Sequence, residues 1–181
     1  MSAQAGRSIV LVGLMGTGKS SVARRLGARL GVDVVDTDRE IEASDGRQVR
    51  QIFAESGEES FRDMESAALS AAMSRSACVV AAAGGAVLRS ENRELLMRAS
   101  AEGRAVVVWL RAGTDSLVAR TARGGHRPLL DGDRAGTLAR LAEERSEMYA
   151  EVADIVVDTD DRDVDEVVDV VMAAVGGAES S

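Results

Sequence analysis

The stretch Ile9-Val10-Leu11-Val12-Gly13-Leu14-Met15-Gly16-Thr17-Gly18-Lys19-Ser20 decides how the rest of the chain reads. Its four leading apolar residues predict a short strand buried on both faces. From Gly13 to Ser20 the sequence satisfies GxxxxGK[ST]. Val22, Leu26 and Leu30 follow at four-residue spacing with Gly31 as a stop, so a helix begins where the motif ends. Glycines in such a loop let backbone N–H groups turn inward around a β-phosphate, and the helix N-terminus adds a favourable dipole. Lys19 is expected to reach the β- and γ-phosphate oxygens, and the Ser20 hydroxyl to ligate Mg²⁺. The loop predicts an ATP or GTP site built from Gly13, Gly16, Thr17, Gly18, Lys19, Ser20 and Ser21, and by itself it names no reaction.

Outward from this loop, apolar runs alternate with helical patterns, the βαβ signature of a parallel sheet covered on both faces. Val32–Val35, Cys78–Ala82, Ala105–Leu110 and Ile155–Val157 read as further strands. Between them a polar stretch runs through Gly46, followed by a long helix carrying Phe61, Met64 and Leu69. Ser90 and Thr114 can cap two more helices, a fourth ends at Tyr149, and the last covers Val164 to Val175. The segment from Arg123 to Arg134 holds three glycines and the only proline, Pro128, and reads as a mobile loop. No repeat or linker divides the 181 residues, so one domain is expected, with residues 1–6 and 176–181 frayed.

Composition narrows the function classes. At 45 % hydrophobic and 29 % charged residues a packed core is within reach. No apolar run approaches the ~20 residues that span a bilayer, and no signal peptide is apparent, which makes a cytoplasmic protein the expectation. A single cysteine, Cys78, and a single histidine, His126, exclude a disulfide framework and a multi-Cys/His metal site. A net charge of −8 argues against a general nucleic-acid binder, which needs surplus basic charge. An anionic small substrate stays open, provided positive charge is concentrated locally. Of the 22 basic residues only Lys19 is lysine, and it stands in the phosphate loop.

Asp36 and Asp38 follow the second strand at i, i+2 spacing, so in an extended chain both carboxylates face one side. The carboxyl ends of strands are where open α/β sheets bind ligands. One carboxylate can hold the water shell of Mg²⁺ while the other accepts a proton from an attacking hydroxyl. The same residues can equally serve as the acidic start of a helix.

With these motifs stand Ile52-Phe53, Gly57-Glu58, Phe61-Arg62, the Gly84-Gly85 turn, Arg120-Thr121, Arg127-Pro128-Leu129-Leu130, and Arg145 followed by Tyr149. In order and spacing the chain resembles the shikimate kinase family over nearly its whole length. The resemblance implies a three-layer α/β fold, a five-stranded parallel sheet in order 2-3-1-4-5 flanked by helices, with a mobile lid at about 120–134. It implies an enzyme that phosphorylates the 3-hydroxyl of shikimate with ATP and Mg²⁺, and a monomer is the expectation. By resemblance, Arg62 and Arg145 bind the substrate carboxylate, and Asp38 takes ring hydroxyls and directs the nucleophile. Gly84 and Gly85 give close backbone contact, Arg120 flanks the adenine, and Arg127 meets the transferring phosphate from the lid. Ser20 would hold Mg²⁺ directly and Asp36 through water. Catalysis would rest on Lys19, Asp38 and Arg127. Without the resemblance, Arg62 reads as a helix-surface partner of Glu65 or Glu59, and Arg145 as another solvated arginine. Another small P-loop kinase, such as a gluconate kinase, and a nucleotide-binding module without transfer are the alternatives.

One departure from the family pattern is Ala83, which stands where a first glycine is usual. If that position needs a positive φ, alanine costs ~1 kcal/mol or shifts the turn. Cys78 reads as a small core residue, and Trp109 and the methionines as packing.

Overall fold

A computed structural model describes residues 6–123, 130 and 132–177. Five parallel strands, β1 (Ser8–Val12), β2 (Val34–Asp36), β3 (Val79–Ala81), β4 (Ala105–Arg111) and β5 (Ile155–Asp158), form one sheet in the order β2-β3-β1-β4-β5. The registers pair Ile9 with Val79 and with Val106, and Trp109 with Val156. Every residue of β1 is buried, as its unbroken apolar run requires for a strand covered on both faces.

Side-chain alternation along the strands divides the core between the two faces. Val10, Val12, Val80, Val107 and Trp109 point to one face. There they meet α3 (Val49–Met73), α4 (Ser90–Ala101), α5 (Thr114–Ala122) and α6 (Arg134–Val152) through Leu69, Leu96, Leu117 and Leu138. Ile9, Leu11, Val79, Val106 and Val108 point to the other face, where α1 (Lys19–Leu30) and α7 (Val164–Gly177) supply Leu26 and Val168. From β1 the chain moves to β2 on one side, and from β3 it crosses to β4 on the other. The switch therefore falls beside β1, and the phosphate loop leaves the sheet there.

Several boundaries differ from the sequence reading. The second strand is Val34–Asp36 rather than Val32–Val35, and the polar stretch after it is a helix, α2 (Thr37–Asp45). Ile41 is its one fully buried large apolar side chain, too little to register as a helical stripe. Ser90 and Thr114 are first helical residues, preceded by Arg89 and Gly113 at the caps. The long third helix bends at Gly57, whose φ of 81° and ψ of 170° lie outside helical space. The last helix continues through Gly177, two residues past the Val175 read from the sequence. Residues 1–5 and 178–181 lie outside the described set. In the expected lid, 120–122 complete α5, Arg134 opens α6, and Leu130 is buried in the core. Arg127, His126 and Pro128 lie outside the described residues. Cys78 is buried against the Ser8 hydroxyl. Among the described residues no helix is long and apolar enough to cross a membrane.

Candidate active site

The carboxyl ends of the strands open onto a cavity of about 910 Å³. Lys19, Arg50, Arg62, Arg120 and Arg145 line it against Asp36, Asp38, Glu42 and Glu65. Cations outnumber carboxylates here, in a chain whose net charge is −8. The positive charge that an anionic substrate needs is concentrated in this cavity.

The phosphate loop is built by close packing. A Cβ on Gly13 (φ +141°) would run into the Leu110 carbonyl oxygen, and Gly16 and Gly18 also adopt positive φ. Gly16, Gly18, Lys19, Ser20 and Ser21 face the cavity. Lys19 Nζ lies across the loop and donates to the carbonyls of Gly13 (2.7 Å) and Leu14 (3.0 Å). Thr17, expected among the nucleotide-binding residues, turns its side chain away from the cavity: its Oγ1 donates to the Leu14 carbonyl at 2.8 Å and is buried. Thr17 and Gly13 thus shape the loop from behind.

Asp36 and Asp38 do share the cavity wall, although the reason differs from the i, i+2 argument. Asp36 ends β2 and caps α2, accepting from the Arg39 N–H, so Asp38 already lies in the first helical turn. Asp36 Oδ2 also accepts the Ser20 hydroxyl at 2.6 Å. Asp38 is half-buried among Glu65, Asp36 and Glu42. Desolvation, with the Glu65 charge next, pushes its carboxyl from 3.8 up to about 6 against the opposing pull of Lys19.

On the other side of the cavity, Arg62 and Arg145 are both buried. Arg62 does make the helix pair that its sequence neighbours allowed, with Nη1 donating to Glu65 (2.5 Å) and Nη2 to Glu58 (2.7 Å). Glu59, the other candidate, pairs with Arg89 instead. The same guanidinium lies over Phe53 and Phe61 at 5.7 and 5.8 Å, so the bend at Gly57 brings it into the cavity rather than onto a solvated face. Arg145 Nη1 donates to the Gly84 carbonyl at 3.2 Å, and its Nε is buried with no hydrogen-bond partner among the described residues.

The glycine turn explains itself without positive φ. Gly84 and Gly85 are not among the positive-φ glycines, and Gly85 sits at φ −89°. Ala83 also avoids positive φ, so no strain attaches to it; it is buried, and its N–H donates to Thr37 Oγ1 at 2.8 Å. Gly85 is needed for space, because a Cβ there would sit 2.7 Å from Arg62 Cζ and overlap Nη1. Gly85→Ala should therefore displace Arg62 and raise the acceptor KM at least about tenfold with little change in ATP KM, a cost of roughly 1–3 kcal/mol. Steady-state kinetics with each substrate varied in turn would check this.

Arg120 is tied to the exit of β5, donating to Thr159 Oγ1 at 2.8 Å and to the Thr159 carbonyl at 2.5 Å. Arg120 itself lines the cavity. Sequence reading had chosen no side chain from this turn; Arg120 reaches Thr159 there. That reading gave no role to Tyr149 and did not single out Thr37, since partners 65 and 46 residues apart leave no local signature.

Among the described residues no group of three or more His, Cys, Asp or Glu gathers to hold a metal. Ser20 and Asp36, hydrogen-bonded at the phosphate loop, instead suit a hard cation that keeps several waters and takes other oxygens from a nucleotide.

Sheet order, phosphate loop and an acceptor half lined by arginines define a P-loop kinase. Comparison with known proteins makes this specific. The family model described as "Shikimate kinase" matches residues 15–175, and the chain belongs to that family. A curated shikimate kinase from Symbiobacterium thermophilum is 46 % identical over 168 residues, covering 91 % of this chain and 94 % of its own. A solved structure of shikimate kinase from Acinetobacter baumannii in complex with shikimate superposes with a TM-score of 0.91 at 32 % identity, covering 98 % of this chain and 97 % of its own. A gluconokinase from Sinorhizobium meliloti reaches only 0.58 at 25 % identity, over 91 % and 88 % of the two chains. The fall between the last two favours the shikimate reading over the gluconate one.

Proposed function

We propose that the chain transfers the γ-phosphoryl group of ATP to the 3-hydroxyl of shikimate, a step of aromatic amino-acid biosynthesis. The observation that carries this reading is the pair of buried arginines, Arg62 and Arg145, lining the same cavity as Lys19 of the phosphate loop. Two arginines suit one carboxylate by bidentate pairing. Val49, Phe53 and Phe61 add an apolar wall that fits the carbon face of a six-membered ring better than an open-chain polyol.

In this reading Asp38 accepts the proton of the attacking hydroxyl, a task suited to a carboxylate whose proton affinity is raised. Lys19 leaves the Gly13 and Leu14 carbonyls for the β- and γ-phosphate oxygens. Ser20 would hold Mg²⁺ directly and Asp36 through water; when bound, the ion neutralises charge on the β- and γ-oxygens. Gly16, Gly18 and Ser21 offer the phosphates their loop, and Arg120 with the Thr159 turn flanks the adenine. Arg127, outside the described residues, is assigned to the transferring phosphate from the lid, where closure excludes water. Catalysis is mostly positioning and charge stabilisation. The reading carries a monomeric, cytoplasmic enzyme; among the described residues Val156 and Val164 are the exposed large apolar side chains, little from which to build an interface.

The test is ADP release from MgATP with shikimate, gluconate, quinate or AMP supplied separately. Strong stimulation by shikimate alone is expected. Stimulation by gluconate or AMP in its place would reject the assignment, and nucleotide binding with no acceptor-dependent turnover would favour a non-catalytic module.

A further inference from the structure

One buried tyrosine has no part in the chemistry above. Tyr149 on α6 is 1 % exposed, stacks on Trp109 with ring centroids 5.7 Å apart, and donates its hydroxyl to the Gly84 carbonyl at 2.6 Å. That carbonyl also receives Arg145 Nη1. In a trans peptide the carbonyl of one residue and the N–H of the next point in opposite directions. The Gly84 oxygen turned towards α6 therefore aims the Gly85 N–H the other way, where it meets the Glu65 carboxylate. Glu65 in turn holds Arg62 at 2.5 Å.

A single peptide plane, Gly84–Gly85, is thus gripped from both sides, with one cavity arginine attached at each end. From this geometry we infer that Tyr149 is a positioning residue for the acceptor: it fixes the Gly84–Gly85 peptide and thereby sets the separation and aim of Arg62 and Arg145. It touches neither substrate. The Arg62 guanidinium packs into the space that a Cβ on Gly85 would fill, directly against this peptide. On the other side, among the described residues the tyrosine hydroxyl and the Arg145 guanidinium hold the Gly84 oxygen. Without the hydroxyl the peptide can rotate and both arginines lose their common reference. The inference rests on the carboxylate-binding role given to these arginines in the preceding reading.

The decisive variant is Tyr149→Phe, which keeps the ring stack on Trp109 and removes one hydrogen bond. A net hydrogen bond corresponds to roughly a two- to tenfold effect. Tyr149→Phe should raise the shikimate KM by about fivefold while the ATP KM and kcat stay within about twofold. The preference for shikimate over its carboxamide, which lacks the negative charge, should shrink by a similar factor. An unchanged shikimate KM would overturn the inference, and so would a parallel rise of both KM values accompanied by a lower Tm, which marks general loosening. Wild-type protein assayed alongside keeps the two questions apart: inactivity of the wild type with shikimate refutes the assigned reaction, whereas an active wild type with an indifferent Tyr149→Phe refutes only the role of Tyr149.

Discussion

Lys19→Met should lower turnover with shikimate by about 10³-fold or more while the fold persists. Methionine nearly matches the length of the lysine stem but carries no charge, so it fills the same space and offers nothing to a phosphate. Lys19 is the only lysine in the chain, and three of the four arginines that line the cavity are engaged elsewhere: Arg120 on Thr159, Arg62 on two glutamates, Arg145 on Gly84. In the free protein Nζ donates two part-buried hydrogen bonds, to the Gly13 and Leu14 carbonyls, and Tm should fall by only a few degrees when they are lost. Turnover measured beside thermal unfolding would check both halves. Activity within tenfold of wild type would remove Lys19 from the phosphate machinery.

Asp38→Asn is expected to separate catalysis from stability. Asparagine keeps the shape and loses the proton acceptor, so turnover should fall by roughly 10²–10⁴-fold, with ATP affinity nearly intact because Asp38 lies on the acceptor side. Stability should move the opposite way. Burial raises the folded carboxyl from 3.8 to about 6, so folding favours the protonated form. That contribution is fully present below the unfolded value and is lost as pH rises through about 6. At pH 8 the ionised side chain therefore costs the free protein at most on the order of 3 kcal/mol, less for the part that the cavity leaves accessible. In EDTA and without nucleotide, Asp38→Asn should melt several degrees above wild type at pH 8, and the gap should close towards pH 5. A variant that melts below wild type at pH 8, or that loses ATP affinity, would place Asp38 in a different environment.

Much of this molecule was readable in the one-dimensional chain because its strongest signals are local. Four apolar residues followed by the glycine loop and a four-residue periodicity specify β1, the phosphate site and α1 within two dozen positions. The other buried strands announced themselves in the same way. Helix α2 did not, since it is short, polar and anchored mainly through Ile41, and its start at Thr37 changed the geometry of the aspartate pair without removing either from the cavity. Apart from the family resemblance, nothing in residue type or spacing set Arg62 and Arg145 apart from the chain's other arginines. Their roles depend on a bend at Gly57 and on carbonyls and carboxylates supplied by distant elements. The worry over Ala83 came from treating a glycine-rich turn as a conformational requirement, whereas the constraint falls on Gly85 and is one of space. The pairing of Glu65 with Arg62 is local to α3, whereas the grip of Tyr149 on Gly84 emerges only once the sheet brings α6 and the β3 exit together.

The most direct test of the assigned reaction is the position of the transferred phosphate. The protein should be incubated with MgATP and shikimate, and the product examined by mass spectrometry and by phosphorus–proton correlation NMR. One phosphate added to shikimate, coupled to the proton on C3, with ADP formed in equal amount, is the predicted result. ADP formed without a phosphorylated acceptor, or phosphate on another hydroxyl, would contradict the arrangement of Asp38, Arg62 and Arg145 proposed for this cavity.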